Sequence, residues 1–100
     1  PAGGFETITV ADTAIGFTAG TITVNQEGGF TKRAVKAFVT VETNAIRFRH
    51  DGTDPDGSTG HLLSSGDSYT VVGESNVSRF KMIRDTGSSG TVMVTYYFNR

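Results

Sequence analysis

The stretch Thr91-Val92-Met93-Val94-Thr95-Tyr96-Tyr97-Phe98 decides how this chain reads. β-Branched and aromatic residues fill it, and they alternate. Val92, Val94, Tyr96 and Phe98 fall on one face of an extended strand, with Met93, Thr95 and Tyr97 on the other. Apolar groups on both faces predict a central strand, or a strand whose second face is covered by a neighbouring subunit.

The same pattern continues upstream. Asp85 to Gly90 reads as a turn. Asn76 to Arg84 reads as a strand, with Phe80 and Met82 on one face and Arg79 and Lys81 on the other. Ser68 to Val72 is a further strand closed by Gly73, and Leu62-Leu63 is a short apolar anchor before the turn Ser64-Ser65-Gly66-Asp67. Over 45–50, Ile46, Phe48 and His50 point one way, and Arg47 and Arg49 the other. Ala34 to Glu42 is a long strand with Val35, Ala37, Val39 and Val41 sharing a face. A helix competes over 31–37, but the valines from 35 onward favour the strand. Ala14 to Phe17 and Thr21 to Val24 suggest a tight meander or hairpin, and Phe5 to Val10 alternates weakly.

About eight short strands separated by turns predict an all-β domain. The expected architecture is a β-sandwich, jelly-roll-like, or a small barrel of antiparallel strands. Residues 5–100 form its single domain. Pro1, Ala2, Gly3 and Gly4 have little to pack and are expected to form a flexible arm ahead of Phe5, at a mature start left by loss of an initiator methionine.

Composition narrows the function. One hundred residues make one domain, and 36% apolar content supplies a modest core. A net charge of −1 argues against a general nucleic-acid binder. No apolar run approaches the ~20 residues that span a bilayer, and no basic-then-apolar leader opens the sequence. Cysteine is absent, which fits folding in a reducing cytoplasm and excludes disulfides and thiolate metal sites.

Residues suited to chemistry are few. Asp51, Asp54 and Asp56 cluster on one loop, as a hard cation requires. The spacing is not that of an EF-hand, because Leu62 and Ser65 stand where the closing glutamate belongs. Asp and Gly are also ordinary turn residues, and a solvated turn is the simpler reading. His50 and His61 flank the loop but lack a third nitrogen or sulfur ligand. Glu42 with Asp51 is the pair a glycosidase-like reading would use. Gly87-Ser88-Ser89-Gly90 is not a nucleophile elbow, and no phosphate loop is present. No enzyme activity and no cofactor is expected. Arg47, Arg49, Arg79 and Lys81 are candidates for a positive ridge that docks on an acidic protein surface. Tyr69, Tyr96 and Tyr97 with the 51–60 loop offer the alternative of a carbohydrate-binding module.

One further pattern carries a resemblance. Ala45-Ile46-Arg47-Phe48-Arg49, Asp51-Gly52-Thr53-Asp54-Pro55, Gly60-His61-Leu62-Leu63, Gly66-Asp67, Phe80-Lys81-Met82-Ile83-Arg84 and Val94-Thr95-Tyr96-Tyr97 together resemble small virion structural proteins of tailed bacteriophages. The resemblance covers a little over half the chain. It implies a non-enzymatic virion protein of the capsid decoration or cement type, made in the host bacterial cytoplasm and bound to the outer capsid surface. A tail- or fibre-attached virion protein is the related alternative. The implied partners are the major capsid protein and further copies of the chain, as a homo-oligomer and expectedly a trimer. The residues then expected to touch a partner are Pro1, Ala2, Gly3, Gly4, Phe5, Arg47, Arg49, Arg79 and Lys81.

Overall fold

The computed structural model describes all residues except 1, 19–22, 26–30, 57, 86, 99 and 100. The strands are β1 (Ala2–Val10), β2 (Ile15–Gly16), β3 (Thr23–Asn25), β4 (Thr31–Thr43), β5 (Ile46–Arg49), β6 (His61–Leu63), β7 (Ser68–Val72), β8 (Lys81–Arg84) and β9 (Gly90–Phe98). A short helix, α1 (Glu74–Arg79), joins β7 to β8.

Two antiparallel sheets form. The larger, sheet A, runs β1-β9-β4, and the far edge of β4 pairs with β3 along one half and β7 along the other. Sheet B runs β2-β8-β5-β6. With β3 set aside, the orders β1-β9-β4-β7 and β2-β8-β5-β6 are those of an eight-stranded jelly roll. The expected all-β sandwich is therefore the observed one. β9 and β4 are both interior strands of sheet A, as their two-sided apolar patterns require.

The core lies between the sheets. Ile8, Val10, Val39, Val41, Val92, Val94 and Tyr96 fill it from sheet A, and Ile46, Phe48, Leu63 and Met82 from sheet B. Aromatic rings form its seam. Phe17 stacks on Phe80 at 4.8 Å and meets Tyr96 edge-on at 5.3 Å. Phe48 packs on Phe80 at 5.0 Å and on Tyr69 at 4.6 Å, which links the sheets. Each such pair contributes about 0.5–1.5 kcal/mol beyond its buried area. The Tyr96 hydroxyl is not stranded: it donates to Glu6, which also accepts from the Thr18 backbone and hydroxyl. Burial, helped by this bond, pushes the Tyr96 phenol above the ordinary tyrosine range.

Several expectations need correction. Ala2, Gly3 and Gly4 are not an arm, because they belong to β1, where Ala2 pairs with Tyr97 and Gly4 with Tyr96. Strand pairing uses backbone groups and needs no side chain. Gly3 also suits its place, since a Cβ there would sit 3.0 Å from the Phe98 ring. Pro1 lies outside the described residues, as do Thr21 and Ile22 of the expected Thr21–Val24 run.

The strand expected over 76–84 is only β8, preceded by α1. Gly73, at φ +105, turns the chain out of β7. Val77 is the helix's buried anchor, and its N–H reaches the Gly73 carbonyl at 2.9 Å. Ser75, Asn76 and Ser78 are weak helix formers, so tertiary packing and not propensity makes this turn. Along β4 the register slips between Ala34 and Lys36. This bulge carries Val35 off the inner face and puts Ala34 there beside Ala37. The competing helix over 31–37 does not form.

Candidate binding surfaces

Two surfaces stand out, and the fold positions them apart. The first is a trough at the open edge between the sheets, where β6 and β7 are the outermost strands. Its polar end is a recess of about 430 Å³ lined by Arg49, His50, Asp51, Thr59, Gly60 and His61. Its apolar end, about 280 Å³, is lined by Phe48, His61, Leu62, Leu63 and Tyr69. His61 borders both, so they form one trough with a polar and an aromatic half.

The 51–60 loop builds the polar end. Pro55 is buried and Gly60, at φ +140, lies under it. A Cβ on Gly60 would meet Pro55, Arg47 and the Phe48 carbonyl at 3.1–3.2 Å, so only glycine fits there without strain. The Asp56 carboxylate accepts from the Ser58 and Thr59 backbone N–H groups at 2.9 and 2.7 Å, closing an Asx turn. Those bonds hold its carboxyl below the usual range. Arg49 donates from Nε and Nη2 to the two Asp51 oxygens at 3.1 and 2.5 Å. This bidentate pair, with a bond from the Thr53 N–H, lowers the Asp51 carboxyl to about 2.

On the aromatic side, the Phe48 ring lies 5.2 Å from His61 and 6.1 Å from His50. The Tyr69 hydroxyl sits 3.4 Å from His50 Nε2. His50 thus follows Phe48 onto the apolar side, as its alternation predicts.

The loop carboxylates do not converge. Asp51 is tied to Arg49, Asp56 to its own turn, and Asp54 is exposed and does not line the recess. Among the described residues no group of three His, Asp or Glu side chains is placed to hold a metal ion. Glu42 does not join Asp51: it accepts from the Thr40 hydroxyl on β4 and stands outside the trough.

The expected basic ridge is partly assembled. Arg49 lies directly across from Lys81 in the β5–β8 register, and Arg47 across from Ile83. These residues share the outer face of sheet B. Arg79 is separated from them on α1. Arg47 is spent internally, on Asp85 at 2.6 Å and the Gly60 carbonyl at 3.0 Å. Half of the ridge's charge, that of Arg47 and Arg49, is therefore answered within the chain.

The second surface is the outer face of sheet A. Registers place Phe5, Thr95, Phe38 and Thr70 in one row across four strands. Thr7, Met93, Thr40 and Ser68 form the next row, and Tyr97, Lys36 and Val72 flank the first. Phe5 is 60% exposed, Phe38 39%, Val72 64% and Met93 38%. Among the described residues, four of the six exposed large apolar side chains thus lie on this one face. The Lys36 ammonium rests 4.6 Å above the Tyr97 ring. Of the three tyrosines, only Tyr69 reaches the trough; Tyr96 is core and Tyr97 belongs to this face.

His61 in a binding role was not legible from its spacing, which suggested only a metal ligand. Its pairing opposite Phe48 in the β5–β6 register is what places it at the sandwich mouth. No described helix is long and apolar enough to cross a membrane. No family model, curated protein or solved structure matches this chain.

Proposed function

We propose that this chain is a non-enzymatic virion protein of the capsid decoration type, coating a particle's outer surface as a homo-oligomer. The observation that carries the reading is the apolar outer face of sheet A. Phe5, Phe38, Val72 and Met93 gather on a rigid sheet, where a lone domain gains nothing by exposing them. The sequence resemblance to phage virion structural proteins supplies the setting.

A second copy is the occupant that suits this face. Its β4 strip runs from Lys36 through Phe38 and Thr40 to Glu42, basic at one end and acidic at the other. A copy laid antiparallel sets Lys36 against Glu42 and the Phe38 row against the Thr40 row. Opposite charges and large-on-small packing then coincide. Outward from such an oligomer, Lys81 on the outer face of sheet B is left to meet the capsid lattice. Contacts too weak singly gain strength when several copies bind together.

The test is composition. Particles purified from an infection are expected to contain the chain in a copy number tied to the icosahedral lattice. Its presence in infected-cell lysate and absence from purified particles would overturn the reading.

A further inference from the structure

The trough at the β6–β7 edge opens between the sheets, away from the outer face of sheet A, and the decoration reading leaves it without a task. We propose that it is a binding site for a neutral saccharide, a pyranoside with two adjacent free hydroxyls.

Charge comes first. Among the described residues lining the polar end, the fixed charges are those of Arg49 and Asp51, and they neutralise each other. An anion would have to displace Asp51 from the guanidinium. A cation would have to displace Arg49 from the carboxylate. A neutral polar ligand displaces neither.

Hydrogen-bonding capacity comes second. A guanidinium carries five N–H donors and a carboxylate about four acceptor positions. The mutual pair consumes two of each, and the Thr53 N–H takes a third acceptor position on Asp51. Its remaining donors and acceptors lie side by side on a fixed fork. Adjacent sugar hydroxyls each donate and accept, and they match such a pair. Thr59 and the His50 and His61 imidazoles supply further partners along the wall.

Shape comes third. A sugar ring has an apolar C–H face as well as a hydroxyl rim. The trough has the same division, with Leu62, Tyr69 and the exposed His61 ring at its other end. Phe48 is buried behind them and fixes His61 and Tyr69 at 5.2 and 4.6 Å. A pocket with apolar walls and a few convergent polar groups is the usual form of a small-ligand site.

The full-length protein, labelled with ¹⁵N, is titrated with the methyl glycosides of glucose, galactose and mannose and followed by amide chemical shifts. At least one is expected to shift the Arg49, His50, Asp51, Gly60, His61 and Tyr69 amides, with affinity on the order of 1 mM. Asp51→Asn and His61→Ala, both at exposed positions, are each expected to weaken binding about tenfold, while their amide spectra stay those of the folded chain. No shift with any glycoside, shifts confined to other regions, or binding unchanged in both variants would overturn the proposal. A glycan array carrying bacterial polysaccharides and animal glycans side by side separates the two sources of ligand. Binding restricted to sulfated or sialylated glycans contradicts the neutral-ligand argument. Neither result depends on particle composition, so this site and the decoration reading fail separately.

Discussion

The two outward faces of this sandwich are built on opposite terms. On sheet B and its 51–60 loop, charge is abundant and answered locally: Arg47 holds Asp85, Arg49 holds Asp51, and Asp56 caps its own turn. On sheet A, charge is sparse and large apolar side chains stand in water. A surface that satisfies itself is at ease in solvent. A surface of Phe5, Phe38, Val72 and Met93 is of the kind that marks an interaction site.

The largest test of this contrast sets one phenylalanine against another. Phe48→Ala removes a ring wedged among Phe80, Tyr69 and His61, and is expected to cost about 3–5 kcal/mol in urea unfolding. Phe38→Ala on the outer face is expected to change monomer stability by less than about 1 kcal/mol. Equal losses at the two positions would show that the outer face is part of the fold and not an interface.

Next in size is Gly90→Ala. A Cβ there would lie 2.8 Å from Ile46 Cγ2 and 3.1 Å from the Asn44 carbonyl, so the start of β9 must shift away from β5. The expected cost is about 1–3 kcal/mol by thermal denaturation.

Tyr96→Phe removes a buried hydroxyl from Glu6 and is expected to cost about 1–2 kcal/mol. The same group fixes an alkaline limit. Its folded ionisation lies above that of the unfolded chain, so above about pH 10 the folded state binds the extra proton. Stability then falls by up to about 1.4 kcal/mol per pH unit, and Tyr96→Phe removes that slope.

The smallest effect lies at the trough. The Asp51 carboxyl is depressed to about 2 by Arg49. Its contribution is complete above its unfolded value of about 4 and is lost as pH falls toward 2. Carboxyl chemical shifts followed from pH 5 to 1 are expected to show Asp51 titrating at about 2, and Arg49→Ala is expected to raise that value.

Much of the fold was legible because strand alternation is local. Thr91 to Phe98 and Ile46 to Arg49 place every side chain on the face the sequence predicts. What was not legible depends on distant contacts. The Val35 bulge is set by pairing with β9 across about sixty residues of sequence. Helix α1 exists because Val77 has a buried seat, which Ser75, Asn76 and Ser78 do not announce. Ala2 to Gly4 looked idle because glycine shows no packing signal, yet β9 offers a free edge. The trough was only half visible. The sequence joins the 51–60 loop to Tyr69, Tyr96 and Tyr97 alike, and the jelly-roll crossover from β6 to β7 is what brings Tyr69 alone of the three to the trough.

The claim on which the rest turns is that the outer face of sheet A is covered by another copy. Light scattering coupled to size exclusion, over a wide range of protein concentration, measures this directly. The expected result is a mass of two chains for the native sequence and of one chain for Phe38→Asp, with both folded. A single-chain mass for the native protein at every concentration would contradict the account.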